Sequence, residues 1–169
     1  MKILEKDIKD VTVVGEIINR MNIADLDFFD SESDVICKRQ PFLISLLLGY
    51  QRDCKPNEFE EIAKILFVIW EYFKLRNKIK RKKITKTQFE RIERRNYHLL
   101  KYLEGESEKS ERLKVIESDM SHLNSKALFA GILLAFNTWD AFIKMDTENK
   151  GILLIGLKSL IECFEENER

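Results

Sequence analysis

The stretch Asn57–Phe73 reads NEFEEIAKILFVIWEYF, and it decides the fold. Apolar side chains take up most of a helical circumference here: Phe59, Ile62, Ala63, Ile65, Leu66, Phe67, Val68, Ile69, Trp70, Tyr72 and Phe73. At 3.6 residues per turn, Glu60, Lys64 and Glu71 fall together on one thin polar stripe. A helix this apolar has to be wrapped by other helices, so the segment is the predicted centre of an all-α bundle. Asn57 with Glu60 three residues on has the pattern of a reciprocally capped helix start. Glu58, Glu60 and Glu61 add negative charge at the positive end of the helix dipole.

Outward from this stretch the same period recurs, and strand alternation is almost absent. Leu123–Ile143 carries Phe129, Phe136, Trp139 and Phe142 and reads as a second central helix, so the two central helices lie near 57–76 and 123–145. A helix from about Lys86 is two-faced: Phe89, Ile92, Leu99, Leu100 and Leu103 on one side, with Asn96 among them, and Arg91, Arg94, Arg95, His98 and Lys101 on the other. Thr85 and Gln88 suit its N-terminal cap and Gly105 its C-terminal one. Pro41 opens a helix whose apolar run is Phe42–Tyr50 and which Lys55–Pro56–Asn57 ends. Ile3, Leu4, Ile8 and Val11 give a short first helix, Val11–Val14 a break or a short extended piece before helical spacing resumes at Val14, Ile17, Ile18 and Met21, and Ser31–Asp34 a loop. Leu113–Met120 gives a short helix or an ordered connection, and the last helix spans about Gly151 to Phe164 with Lys158, Glu162, Glu165 and Glu166 exposed. The expected fold is a compact single-domain bundle of about six helices over 1–169, with a looser N-terminal segment 1–34.

Composition agrees. The chain has 169 residues, 44% of them hydrophobic, with only 6 Gly and 2 Pro, which excludes collagen-like, low-complexity and turn-rich all-β chains. The three cysteines, Cys37, Cys54 and Cys163, form no Cys-x-x-Cys, so neither a disulfide framework nor a zinc finger is expected. Met1–Asp7 has no apolar core of a secretory signal, and no apolar run approaches the roughly 20 residues of a membrane span. A cytoplasmic location is the expectation. Nucleotide-binding and serine-hydrolase glycine motifs are absent, the two histidines have no cluster of acid or thiol partners, and no catalytic residue, metal or cofactor is expected. Arg52 and Lys55 beside Cys54 can lower its thiol pKa, although a lone Cys at a helix end is more often inert.

Charge is the chain's strongest pattern. Lys and Arg number 29 and Asp and Glu 29, yet between Lys74 and Arg95 eleven basic residues face two acids. Such a block can hold phosphates by counterion release. On that reading Lys78, Lys80, Arg81, Lys82, Lys83, Arg91, Arg94, Arg95 and His98 bind nucleic acid or phosphate. The plainer reading is a solvated helix end that complements the dipole.

Arg91 followed seven residues later by His98 resembles the Arg-x(4–6)-His pattern of HEPN-type helical ribonucleases. The resemblance implies a metal-independent ribonuclease in which a His and an Arg from paired protomers act on the ribose phosphate. It covers eight residues, and Ile92 stands where that family usually has a polar residue. The leading expectation is different: a non-catalytic protein-interaction module (adaptor, regulator or immunity-type) whose partner is another protein or a second copy of itself, without membrane association.

Overall fold

The computed structural model describes residues 5–76, 78–79 and 82–168. Among them are nine helices and no strand: α1 (Glu5–Ile23), α2 (Leu26–Arg39), α3 (Pro41–Tyr50), α4 (Pro56–Leu75), α5 (Lys86–Gly105), α6 (Lys109–His122), α7 (Lys126–Thr138), α8 (Asp140–Ile143) and α9 (Thr147–Glu168). The all-α class is as expected. The number of helices exceeds the expected six.

Helix α4 is the centre of the bundle. Ile65, Val68, Ile69, Trp70, Tyr72 and Phe73 are wholly buried, and α1, α3, α7, α8 and α9 all pack against it. Burying each such side chain contributes about 1.5–3 kcal/mol. Its start lies two residues earlier than Asn57 suggests. Lys55 is the extended residue before the helix, Pro56 occupies the first turn, and the Lys55 backbone N–H donates to Glu58 Oε2 at 2.8 Å.

The additional helices have identifiable causes. The expected break at Val11–Val14 is absent, because Val14, Ile17 and Met21 form one buried stripe that keeps α1 continuous. Ser31–Asp34 is helical, not a loop. Asp25 Oδ1 accepts the Phe28 N–H at 2.9 Å to start α2, and Phe29 then packs edge-on against Phe67 at 4.9 Å. Glu32 closes the fit by accepting from Trp70 Nε1 at 2.9 Å and Lys74 Nζ at 2.7 Å. These contacts outweigh the local turn preference of serine and aspartate.

The second central segment is split. Trp139 is extended at φ −84°, ψ 128°, so the chain turns between α7 and α8 and Phe136 stacks on Phe142 at 4.2 Å. Helix α9 starts earlier than expected, because Asp146 Oδ1 accepts the N–H groups of Glu148 and Asn149. Lys158 and Glu165, expected on its exposed stripe, are buried instead. The reason is the packing of α5 antiparallel along α9.

Candidate functional site

The seam between α5 and α9 receives three of the eleven basic residues, Lys78, Arg91 and Arg95. Thr85 caps α5 as expected, its Oγ1 accepting the Gln88 N–H at 3.2 Å. The Gln88 side chain does not fold back on the cap. It reaches across to Glu166 Oε2 at 2.8 Å and Asn167 Oδ1 at 3.1 Å. Arg91 Nη2 donates to both Glu166 oxygens at 2.7 and 2.6 Å, Arg95 pairs with Glu162 at 2.8 Å, and Lys78 pairs with Glu168 at 2.6 Å. A hydrogen bond from Gln88, then the Arg91 guanidinium, hold the Glu166 carboxyl below the usual glutamate range against the cost of burial.

The flanking cations are also engaged. Lys74 pairs with Glu32 and Glu71, Arg76 with Asp10, and Lys86 with Glu90 at 3.6 Å. Lys82, Lys83 and Arg94 are exposed and in no ion pair among the described residues. Lys80 and Arg81 lie outside the described residues. The basic block is thus largely the partner of this chain's own carboxylates.

Arg91 and His98 share one flank of α5, but the Arg91 guanidinium is turned onto α9 and His98 stands exposed beside Tyr97. The side chain that joins Arg91 and Arg95 is His122, the last residue of α6. With Glu162, Glu165 and Glu166 they line a shallow cleft of about 280 Å³. The three acids leave this cleft with no surplus of positive charge. Nothing local to His122 in the sequence signals the two arginines.

Beneath the seam lies a buried polar network. Lys158 Nζ donates to Asn96 Oδ1 at 2.9 Å, Glu162 Oε1 at 2.9 Å and Asp119 Oδ1 at 3.2 Å. Asn96 Nδ2 donates to Ser159 Oγ at 2.9 Å and Glu162 Oε2 at 2.7 Å. Asn96, set in the apolar face of its helix, is therefore buried and bonded to side chains of α9. All three Lys158 donors have acceptors, so the buried ammonium is compensated. Through Asp119 the network also ties the inner end of α6 to α9. Glu165 acts similarly, accepting the Asn124 and Ser125 N–H groups where the chain turns into α7.

The outer part of α6 is different. The helix buries none of its side chains. Leu113, Ile116 and Met120 recur at i, i+3 and i+7 on one face. Met120 packs on the core, whereas Leu113 is 52% and Ile116 42% exposed. On the preceding helix, Tyr97 and Tyr102 are exposed as well.

The expected setting of Cys54 is not realised. Burial, followed by the charges of Glu58 and Asp53, raises its thiol pKa rather than lowering it. Burial likewise pushes Cys163 up to about 12. No group of His, Cys, Asp and Glu among the described residues could hold a metal ion, and no helix among them is long and apolar enough to cross a membrane. Neither a family model, nor a curated protein, nor a solved structure matches the chain.

Proposed function

We propose that this chain is a non-catalytic protein-interaction module, of the adaptor, regulator or immunity type, that docks another protein along α6. One observation carries the reading: the Leu113–Ile116–Met120 stripe is packed on the core at its inner end and left bare at its outer end. An amphipathic helix whose apolar face runs past the bundle is half of a helix–helix contact. Charges around the stripe are mixed, and Glu111 already pairs with Lys114 at 2.6 Å. Recognition is therefore driven by apolar burial, and salt has little effect on it. The same reading places the protein in the cytoplasm, supported by three free cysteines.

A photo-crosslinking amino acid placed at position 113 or 116, in cells making the protein, tests this. The expected adducts are protein, either a partner or a second copy, and they disappear when the other stripe residue is changed to Asp. Positions 83 and 94 serve the rival reading, in which Lys82, Lys83, Arg94 and His98 bind phosphate. That reading is supported by the two exposed lysines and the arginine having no ion pair among the described residues. Nucleic-acid adducts at 83 and 94 with none at 113 or 116 would replace the proposal.

A further inference from the structure

A cleft of about 790 Å³ lies away from α6, between α3, the start of α4, α5 and α9. That volume lies within the roughly 300–1,000 Å³ of small-ligand sites. One side is hydrocarbon, from Phe42, Leu46, Ile62, Phe89, Met145 and Leu153. The other is acidic: Asp53, Glu58, Glu90 and Glu93 face one cation, Lys86.

Most of these charges are spoken for. Glu58 holds the start of α4, and Glu90 pairs with Lys86. Glu93 is different. It sits half-buried in the cleft wall and enters no ion pair among the described residues. Burial, with repulsion from Glu90 adding, raises its pKa above the usual range. The Tyr50 hydroxyl is a second uncompensated group: fully buried, with no hydrogen-bond partner, against the α9 backbone at Gly156. Burial and the nearby Glu93 charge keep the phenol protonated. A buried hydroxyl and a half-buried carboxylate left unpaired side by side are costly, and such groups call for an explanation.

We propose that this cleft binds a small amphipathic amine, its ammonium held by the Glu93 carboxylate above the buried Tyr50 phenol and its hydrocarbon body laid over Phe42, Leu46, Phe89 and Leu153. An ammonium supplies the cation that the Glu93 carboxylate lacks. Four carboxylates repel an anionic ligand. A neutral apolar ligand would leave Glu93 unpaired.

The test titrates the full chain with n-octylamine, n-octanol and n-octanoate by two-dimensional amide NMR. The expected result is octylamine binding with Kd below about 1 mM, the range for a ligand of this size. Binding should be at least tenfold tighter than that of octanoate, with shifts centred on residues lining the cleft. Glu93→Gln should weaken octylamine at least fivefold, leave octanol unchanged, and keep or raise the thermal midpoint, so lost binding is not lost folding. Tyr50→Phe should change octylamine affinity less than Glu93→Gln does. Octanoate binding as tightly as octylamine, an unchanged Glu93→Gln affinity, or shifts mapping elsewhere would overturn the proposal. None of these outcomes bears on the α6 surface.

Discussion

Of the six glycines, Gly156 leaves the least room for a side chain. A β-carbon there would lie 2.0 Å from Tyr50 Oη and 3.3 Å from Cζ, although the glycine sits inside α9, where alanine is the better helix former. Gly156→Ala should therefore destabilise by about 1–2 kcal/mol, overpacking exceeding the propensity gain. Tyr50→Phe alone should be close to neutral, because the hydroxyl it removes has no partner. Combining the two should recover most of the loss, a coupling of about 1–2 kcal/mol in urea denaturation. Strictly additive effects would mean that the hydroxyl does not occupy this space. At this scale the sequence was legible where a residue type contradicts its own face, as Asn96 does among Phe89, Ile92 and Leu99. It was silent about Gly156, because a glycine in a helix does not disclose which distant side chain needs the room.

Among elements, boundaries were read correctly where local chemistry makes them and missed where tertiary contacts do. Thr85 caps α5 through its own neighbour Gln88 and was recognisable. Residues Ser31–Asp34 have turn-forming side chains, yet Phe29 and Glu32 find partners on α4, so helix α2 runs through them. The chain leading into α5 is held the same way. Gln40, buried between α2 and α3, donates from Nε2 to Lys82 O at 3.1 Å and accepts the Ile84 N–H on Oε1 at 2.8 Å. Those partners are more than forty residues away in sequence, so no spacing rule reveals them. Gln40→Ala leaves the Ile84 amide buried without an acceptor, at a cost of about 1–3 kcal/mol. Hydrogen exchange should localise the effect, with protection lost at Ile84 and the first turn of α5 while the α4 amides keep theirs.

On the scale of the whole molecule, a chain of zero net charge hides a spatial pairing of its own blocks. The sequence shows a basic run before residue 96 and acids near the C-terminus. Only the antiparallel packing of α5 on α9 brings Arg91 to Glu166 and Arg95 to Glu162. This arrangement gives stability a two-part response to acid. Glu93 carries a raised pKa in the fold, so its charged form disfavours folding at neutral pH. That penalty is relieved as pH falls through its folded value towards the ordinary glutamate pKa of about 4.3. Glu32 and Glu166 behave oppositely. Burial opposes ionisation of Glu32, but hydrogen bonds from Lys74 and Trp70 overcome it, while Gln88 and Arg91 hold Glu166 down. Their contribution is present in full above the ordinary value and is lost as pH falls below about 4 through their folded values. Urea midpoints should therefore hold level or rise slightly from pH 7 to 5 and then drop below about pH 4. Glu93→Gln should remove the rise while keeping the drop, and Glu166→Gln should lower the neutral plateau and make the drop shallower. A midpoint falling steadily from pH 7 would show that Glu93 is not the unpaired carboxylate of this fold, and would weaken the case for the cleft as well.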